Sequence, residues 1–171
     1  DEKYSNIYAI ETSHYNIEIS FTKQGSSIND ITCVICTHLH FDYVVGNSKI
    51  LDGVIVATFP NATYWVSKEN WELSNHPSQK DSGSFRGRDW KVLAENGMLR
   101  IINGVESFIE GIDMFLTYSH TNRQVHPVIT DSYQTLFYGA VISTLSVHIA
   151  IPWVMVYDFK SEVIMPEKVK I

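Results

Sequence analysis

Long apolar runs are absent from this 171-residue chain, and none approaches the roughly 18 residues that a membrane-spanning helix needs. A basic segment leading into an apolar one is also missing, so no signal peptide is legible, and the first residue is Asp1 rather than Met. Positive charge is scarce: 13 Lys and Arg stand against 19 Asp and Glu, a net of −6. Such a chain lacks the electrostatic footprint of a nucleic-acid binder. The densest basic group, Arg86, Arg88 and Lys91, is interrupted by Asp89 and reads as a solvated surface segment. These absences set the expectation of no nucleic-acid partner, no membrane and a cytoplasmic location.

Cysteine is nearly absent as well. Cys33 and Cys36 are the two present, spaced C-x-x-C inside Ile31-Thr-Cys-Val-Ile-Cys36. That β-branched run predicts a buried strand. Positions three apart on a strand point to opposite faces, so the two sulfurs diverge, and no second pair exists to complete a zinc site. Small buried apolar residues are the reading that fits, and unpaired thiols favour a reducing compartment.

What the chain does have is 44% apolar and 19% charged residues, enough for a single domain over 1–171 with its own core. Tyr15, Ile17, Ile19 and Phe21 alternate as in a strand, while the following Gly25-Ser-Ser equally suits a helix end. Strands are expected over 31–37, 54–57 (short and buried) and 63–66, with a turn at Phe59-Pro-Asn61. Ser67 is placed to cap a helix over 68–75, with Glu69 in its first turn. A loop over 76–89 leads to a helical turn at 90–95 closed by Asn96-Gly97. Short strands are then expected over 98–102, 107–109, 114–118, 125–129 and 135–138. Strands with interspersed helices predict a layered α/β or α+β domain.

The chemistry-bearing stretch is His38-Leu-His40-Phe-Asp42, directly after the first strong strand. On an extended backbone residues i, i+2 and i+4 share a face, so both imidazoles can converge on one cation with Asp42 nearby. Imidazole and carboxylate suit zinc, manganese or iron, and strand ends are common places for sites. Alone, the pattern fits a pair of surface histidines equally well.

The wider stretch Thr37-His-Leu-His-Phe-Asp-Tyr-Val-Val-Gly-Asn47 resembles the T-H-x-H-x-D-H-x-G-G-N loop of metallo-β-lactamase-fold hydrolases. Asp30-Ile-Thr-Cys-Val-Ile-Cys-Thr-His38 resembles the strand before that loop. Phe59-Pro-Asn-Ala-Thr-Tyr-Trp-Val-Ser67 with Trp71 is similar to the segment after that loop in bacterial members. Ser119-His-Thr-Asn-Arg-Gln124 resembles G-H-T-x-G-H, and Tyr138-Gly-Ala140 stands at the family's G-D. Val147-His-Ile-Ala-Ile-Pro-Trp-Val-Met-Val-Tyr-Asp158 resembles a further stretch of one bacterial branch.

The resemblance implies a four-layer αββα sandwich and a hydrolase that uses a metal-activated water on an ester, lactone, amide-like or phosphoester small molecule. Residue by residue, it implies metal ligands at His38, His40, Asp42 and Gln124, with Asp42 also the proton acceptor. Several family positions are altered. Tyr43 replaces a histidine, Gln124 another, Arg123 a glycine, and Ala140 the bridging aspartate. An amide oxygen is a weaker zinc ligand than imidazole, and losing the bridging anion leaves two dications unscreened. The implied capacity is one weakly held zinc or other divalent ion, or none, and the alternative is a catalytically impaired family member. His120 is implied to be structural. His126 could ligate after a register shift of two, and His148 and Tyr43 are candidates for the pocket. His14 and His76 read as surface residues. Trp65, Trp71, Trp153 and Tyr157 read as packing residues. Asp1-Glu-Lys-Tyr and Pro166-Glu-Lys resemble segments internal to the family fold, Pro166 at the start of its last long helix. A partial domain is therefore expected, whose open sheet edges a partner or second copy would cover.

Overall fold

The structure, a computed structural model, describes residues 6–9, 16–104, 109–156 and 158–171. The expectations for Tyr4, His14, Tyr15, Tyr157, the first four residues and most of the 107–109 strand lie outside them. In chain order the described strands are β1 (Cys33–Ile35), β2 (Ser48–Leu51), β3 (Val54–Ala57), β4 (Thr63–Ser67), β5 (Leu99–Ile102), β6 (Ile112–Thr117), β7 (Gln124–Thr130) and β8 (Thr135–Phe137). The helices are α1 (Ile17–Lys23), α2 (Phe41–Val44), α3 (Lys68–Asn75), α4 (Lys91–Glu95) and α5 (Ser161–Lys168).

β1, β4 and β5 form a parallel sheet in that order, with Val34 opposite Tyr64 and Tyr64 opposite Leu99. β6, β7 and β8 form an antiparallel sheet, with Thr117 opposite Gln124. The alternation of β4 decides how they stack. Tyr64 and Val66 enter one buried cluster with Cys36, Leu39, Phe59, Trp90 and Leu93, against which Trp71 of α3 also packs. Trp65 points the other way, with Ile35 and Ile102, onto Met114, Leu116 and Val125 of the second sheet. The parallel sheet is therefore covered by helices and loops on one face and by the antiparallel sheet on the other. The two tryptophans at the junction of β4 and α3 pack on opposite sides of it.

Several expectations are corrected. The 15–21 alternation forms a helix: Asn16 Oδ1 accepts the Glu18 N–H at 2.7 Å, Glu18 sits in the first turn and Lys23 in the last. These caps complement the helix dipole and outweigh the β-branched pattern. β3 is not buried. Among the described residues it pairs only with β2, and Val54 and Ile55 are exposed. Asp52 and Gly53 close this hairpin at φ 51° and 81°, the left-handed pair of a two-residue turn. Pro166 lies inside α5 rather than at its start, because buried Ile164 and Glu167 anchor the helix on both sides of the proline. Trp153 is exposed. Arg86 is not solvated: it pairs with buried Asp89 at 3.0 Å and lies over the Phe41 ring at 4.9 Å.

Candidate metal centre

β1 delivers the chain to the site. Just past its end, the Cys36 N–H donates to the Trp65 carbonyl, and the Val125 N–H donates to the Thr37 carbonyl at 2.9 Å. The start of β7 thus lies against the residue before His38. The chain bends at Thr37, is again extended at His40, which stands just before α2 and bridges to Phe85, and then turns helical. That turn breaks the i, i+2, i+4 face. His38 and His40 converge, with ring centroids 4.6 Å apart, while Asp42 is carried onto α2, where it is exposed.

The third imidazole is His120, in the loop between β6 and β7. Its centroid lies 5.1 Å from His38 and 4.9 Å from His40. One ligand atom from each of His38, His40 and His120 can be chosen so that all three lie within 4.8 Å of one another, and all three residues are buried. The cluster can therefore bind a metal ion. The family resemblance implied a structural role for His120. The structure brings it into the group and does not bring in Asp42.

The hydrogen bonds fix which ring atoms face inward. His120 Nδ1 is 3.0 Å from Asp158 Oδ1, and Asp158 Oδ2 accepts the Met155 N–H at 3.1 Å. The carboxylate accepts from a proton on Nδ1, and His120 Nε2 faces His40 Nδ1 at 3.1 Å. His38 Nδ1 is 3.0 Å from Thr37 Oγ1, while His38 Nε2 is buried with no hydrogen-bond partner among the described residues. Both amide atoms of fully buried Gln124 are likewise without one. Orphaned buried donors and acceptors are costly and call for a ligand.

Burial, then the neighbouring imidazoles, hold His38 well below the usual histidine range. Burial and His120 lower His40 to about 4, opposed by the charge of Asp81. His38 and His40 are therefore neutral at pH 7, the state in which imidazole ligates. Asp81, buried and hydrogen-bonded by Ser78 Oγ at 2.7 Å, and Phe85, stacked edge-on to His40 at 4.8 Å, belong to the stretch read as loop. No periodicity marks such a loop as a site wall. Asp158 was legible only as part of a family-like stretch.

The remaining candidates lie around this group or away from it. Tyr43 packs its ring 4.4 Å from His38. His126 faces Thr117 Oγ1 at 2.8 Å and the Tyr138 carbonyl at 3.3 Å, and stacks on Phe137. β7 shows no register shift, and His126 lies outside the three-imidazole group. His148 lines a cavity of about 430 Å³ with Phe137, Gly139, Ser143 and Lys168, and none of the three clustered histidines lines it. Ala140 holds a left-handed φ of 44°, and Arg123, at the family's glycine, one of 51°. Cys36 accepts from Asn47 Nδ2, and burial pushes its thiol up to about 11, the opposite of an activated cysteine. His76 is exposed as expected.

Among the described residues no helix is long and apolar enough to cross a membrane. No curated protein matches the chain. Solved structures do. A probable metal-dependent hydrolase from Staphylococcus aureus superposes with a TM-score of 0.87 at 20% identity, over 100% of this chain and 60% of that one. AidC, a dizinc quorum-quenching lactonase, gives 0.72 at 18%, over 90% and 56%. A B. thuringiensis AiiA variant with N-decanoyl-L-homoserine at its active site gives 0.67 at 19%, over 91% and 55%. This chain thus spans 60% or less of the length of these neighbours, and the shared fold is two facing sheets in a mixed α/β arrangement. The metallo-beta-lactamase superfamily model matches residues 7–137, and the chain belongs to that superfamily.

Proposed function

We propose that residues 1–171 form one domain of a hydrolase that holds a single divalent metal, zinc first among candidates, through His38, His40 and His120. The observation that carries this reading is the group of three buried imidazoles with His38 Nε2 unpartnered among the described residues. Three imidazoles are a donor set suited to zinc, with a fourth position left for water or substrate. Such an ion supplies Lewis acidity and a nucleophile drawn from water at neutral pH. Asp158 fixes the His120 tautomer, and Gln124 is a neutral donor available at the same end of β7. Asp42, at the exposed edge of α2, remains the proposed proton acceptor.

The substrate class that fits best is a small ester or lactone. Two of the similar structures carry acyl-homoserine-type molecules, and the scaffold here is theirs. A second reading, a family member without catalysis, is favoured by Ala140 and Tyr43, which remove an anion and an imidazole from positions the resemblance implies as ligands. Purification without chelator, metal analysis and assay with lactone and ester probes separate the two. Zinc with hydrolysis that His38→Ala abolishes supports the first reading. Zinc without hydrolysis supports the second.

A further inference from the structure

The proposed ligands come from two segments more than 70 residues apart in the chain, and one side chain reaches both. Asn70, fully buried in the first turn of α3, accepts the Leu39 N–H on Oδ1 at 2.8 Å. Its Nδ2 donates to Thr121 Oγ1 at 3.0 Å and to the Asn122 carbonyl at 3.1 Å. Leu39 lies between His38 and His40, and Thr121 comes directly after His120. The neighbours of Asn70 on α3 grip the second segment alone. Ser67 Oγ donates to the Arg123 carbonyl at 2.7 Å, and Glu69 takes Arg123 Nη1 on both oxygens at 2.7 and 2.8 Å.

We infer that Asn70 is the positioning residue of the metal centre, its amide fixing the distance between the donors of the H-x-H segment and His120. The chemistry selects an amide. The Leu39 N–H requires an acceptor, the Asn122 carbonyl requires a donor, and both needs meet on one short planar group. A carboxylate serves the first and repels the second. Two of its three partners are backbone groups, one in each segment, so the amide sets main-chain separation and, through it, where the two ring sets face. The inference rests on the reading of His38, His40 and His120 as ligands.

The test compares Asn70→Asp with Glu69→Gln in the full chain, by zinc competition titration against a chromophoric chelator. Asn70→Asp keeps the Leu39 acceptor and loses the donor, and its zinc affinity falls about 10- to 100-fold. Glu69→Gln loosens only the second segment and leaves zinc affinity near that of the unaltered chain. Cobalt substitution adds a readout, since altered ligand geometry changes the visible spectrum in the first variant and not in the second. Should Asn70→Asp not fold, Asn70→Ser keeps a small acceptor and is used in its place. The His40 and His120 ring-nitrogen NMR shifts, measured without metal, change with Asn70 and not with Glu69. A folded Asn70 variant with unchanged ring shifts overturns the inference whether or not zinc binds. An unaltered chain that takes up no zinc while Asn70→Asp still moves those shifts refutes the metal reading and leaves the positioning role standing.

Discussion

His120 and Asp158 are the pair on which the centre turns at the residue scale. A carboxylate behind an imidazole fixes its tautomer and raises its basicity. Asp158→Asn should lower zinc affinity by about 10-fold or more, with His120→Ala at least as severe. An unchanged affinity in competition titrations would detach Asp158 from the site. Ala140 and Arg123 hold left-handed backbone that glycine accepts at little cost. Ala140→Gly should therefore raise stability by about 0.5–1 kcal/mol, read from urea midpoints. Arg123→Gly should not, because it also removes the ion pair to Glu69. The sequence singled out His38 and His40, since an alternating pair after a strand can converge, but the pattern alone fitted a surface pair equally well. It misplaced Asp42, because the period-2 argument assumes extended backbone, and the chain turns into α2 after His40. It also missed Asp81 and Phe85, which reach the site from a loop whose path only tertiary contacts define.

α3 was the most legible element. Ser67 stands before a run with Glu69 in its first turn, and the structure places the helix at Lys68–Asn75 with the Ser67 hydroxyl 3.4 Å from the Asn70 N–H. The same hydroxyl donates to the Arg123 carbonyl, a use no local pattern reveals. Ser67→Ala removes both bonds from a fully buried position and should cost about 1–3 kcal/mol, more than loss of an exposed cap. α1 was ambiguous for a physical reason: a segment with no buried residue has no face for periodicity to report, and the Asn16 cap decides it. The β2–β3 hairpin was half legible, because β2 exists through its pairing with β3 and the Asp52-Gly53 turn. Asp52→Asn suits the left-handed φ at least as well and should leave stability unchanged or raise it by a few tenths of a kcal/mol.

Across the whole molecule, a layered mix of strands and helices was readable from the strand and cap patterns, while the two facing sheets were legible only through the motif order that carries the family resemblance. The depth of histidine burial was not readable, and it governs the pH response. His40 and His126 titrate near 4 in the folded chain, both lowered first by burial, whereas an unfolded imidazole titrates near 6.5. The unfolded chain therefore binds more protons between those values. Stability is full above about pH 6.5 and falls as the pH drops toward 4, by roughly 1.4 kcal/mol per unit for each histidine. Urea midpoints measured with chelator should show this decline, and a flat profile from pH 7 to 4.5 would mean the rings are not buried as described.

The central claim is that three imidazoles from two distant segments make one metal site. Metal content of the chain, expressed and purified without chelator, tests it most directly. About one equivalent of a divalent metal is expected, zinc foremost, reduced to a trace in His38→Ala and in His120→Ala. A folded, unaltered chain that holds only a trace of metal, or a His120→Ala variant that keeps its full equivalent, would contradict it.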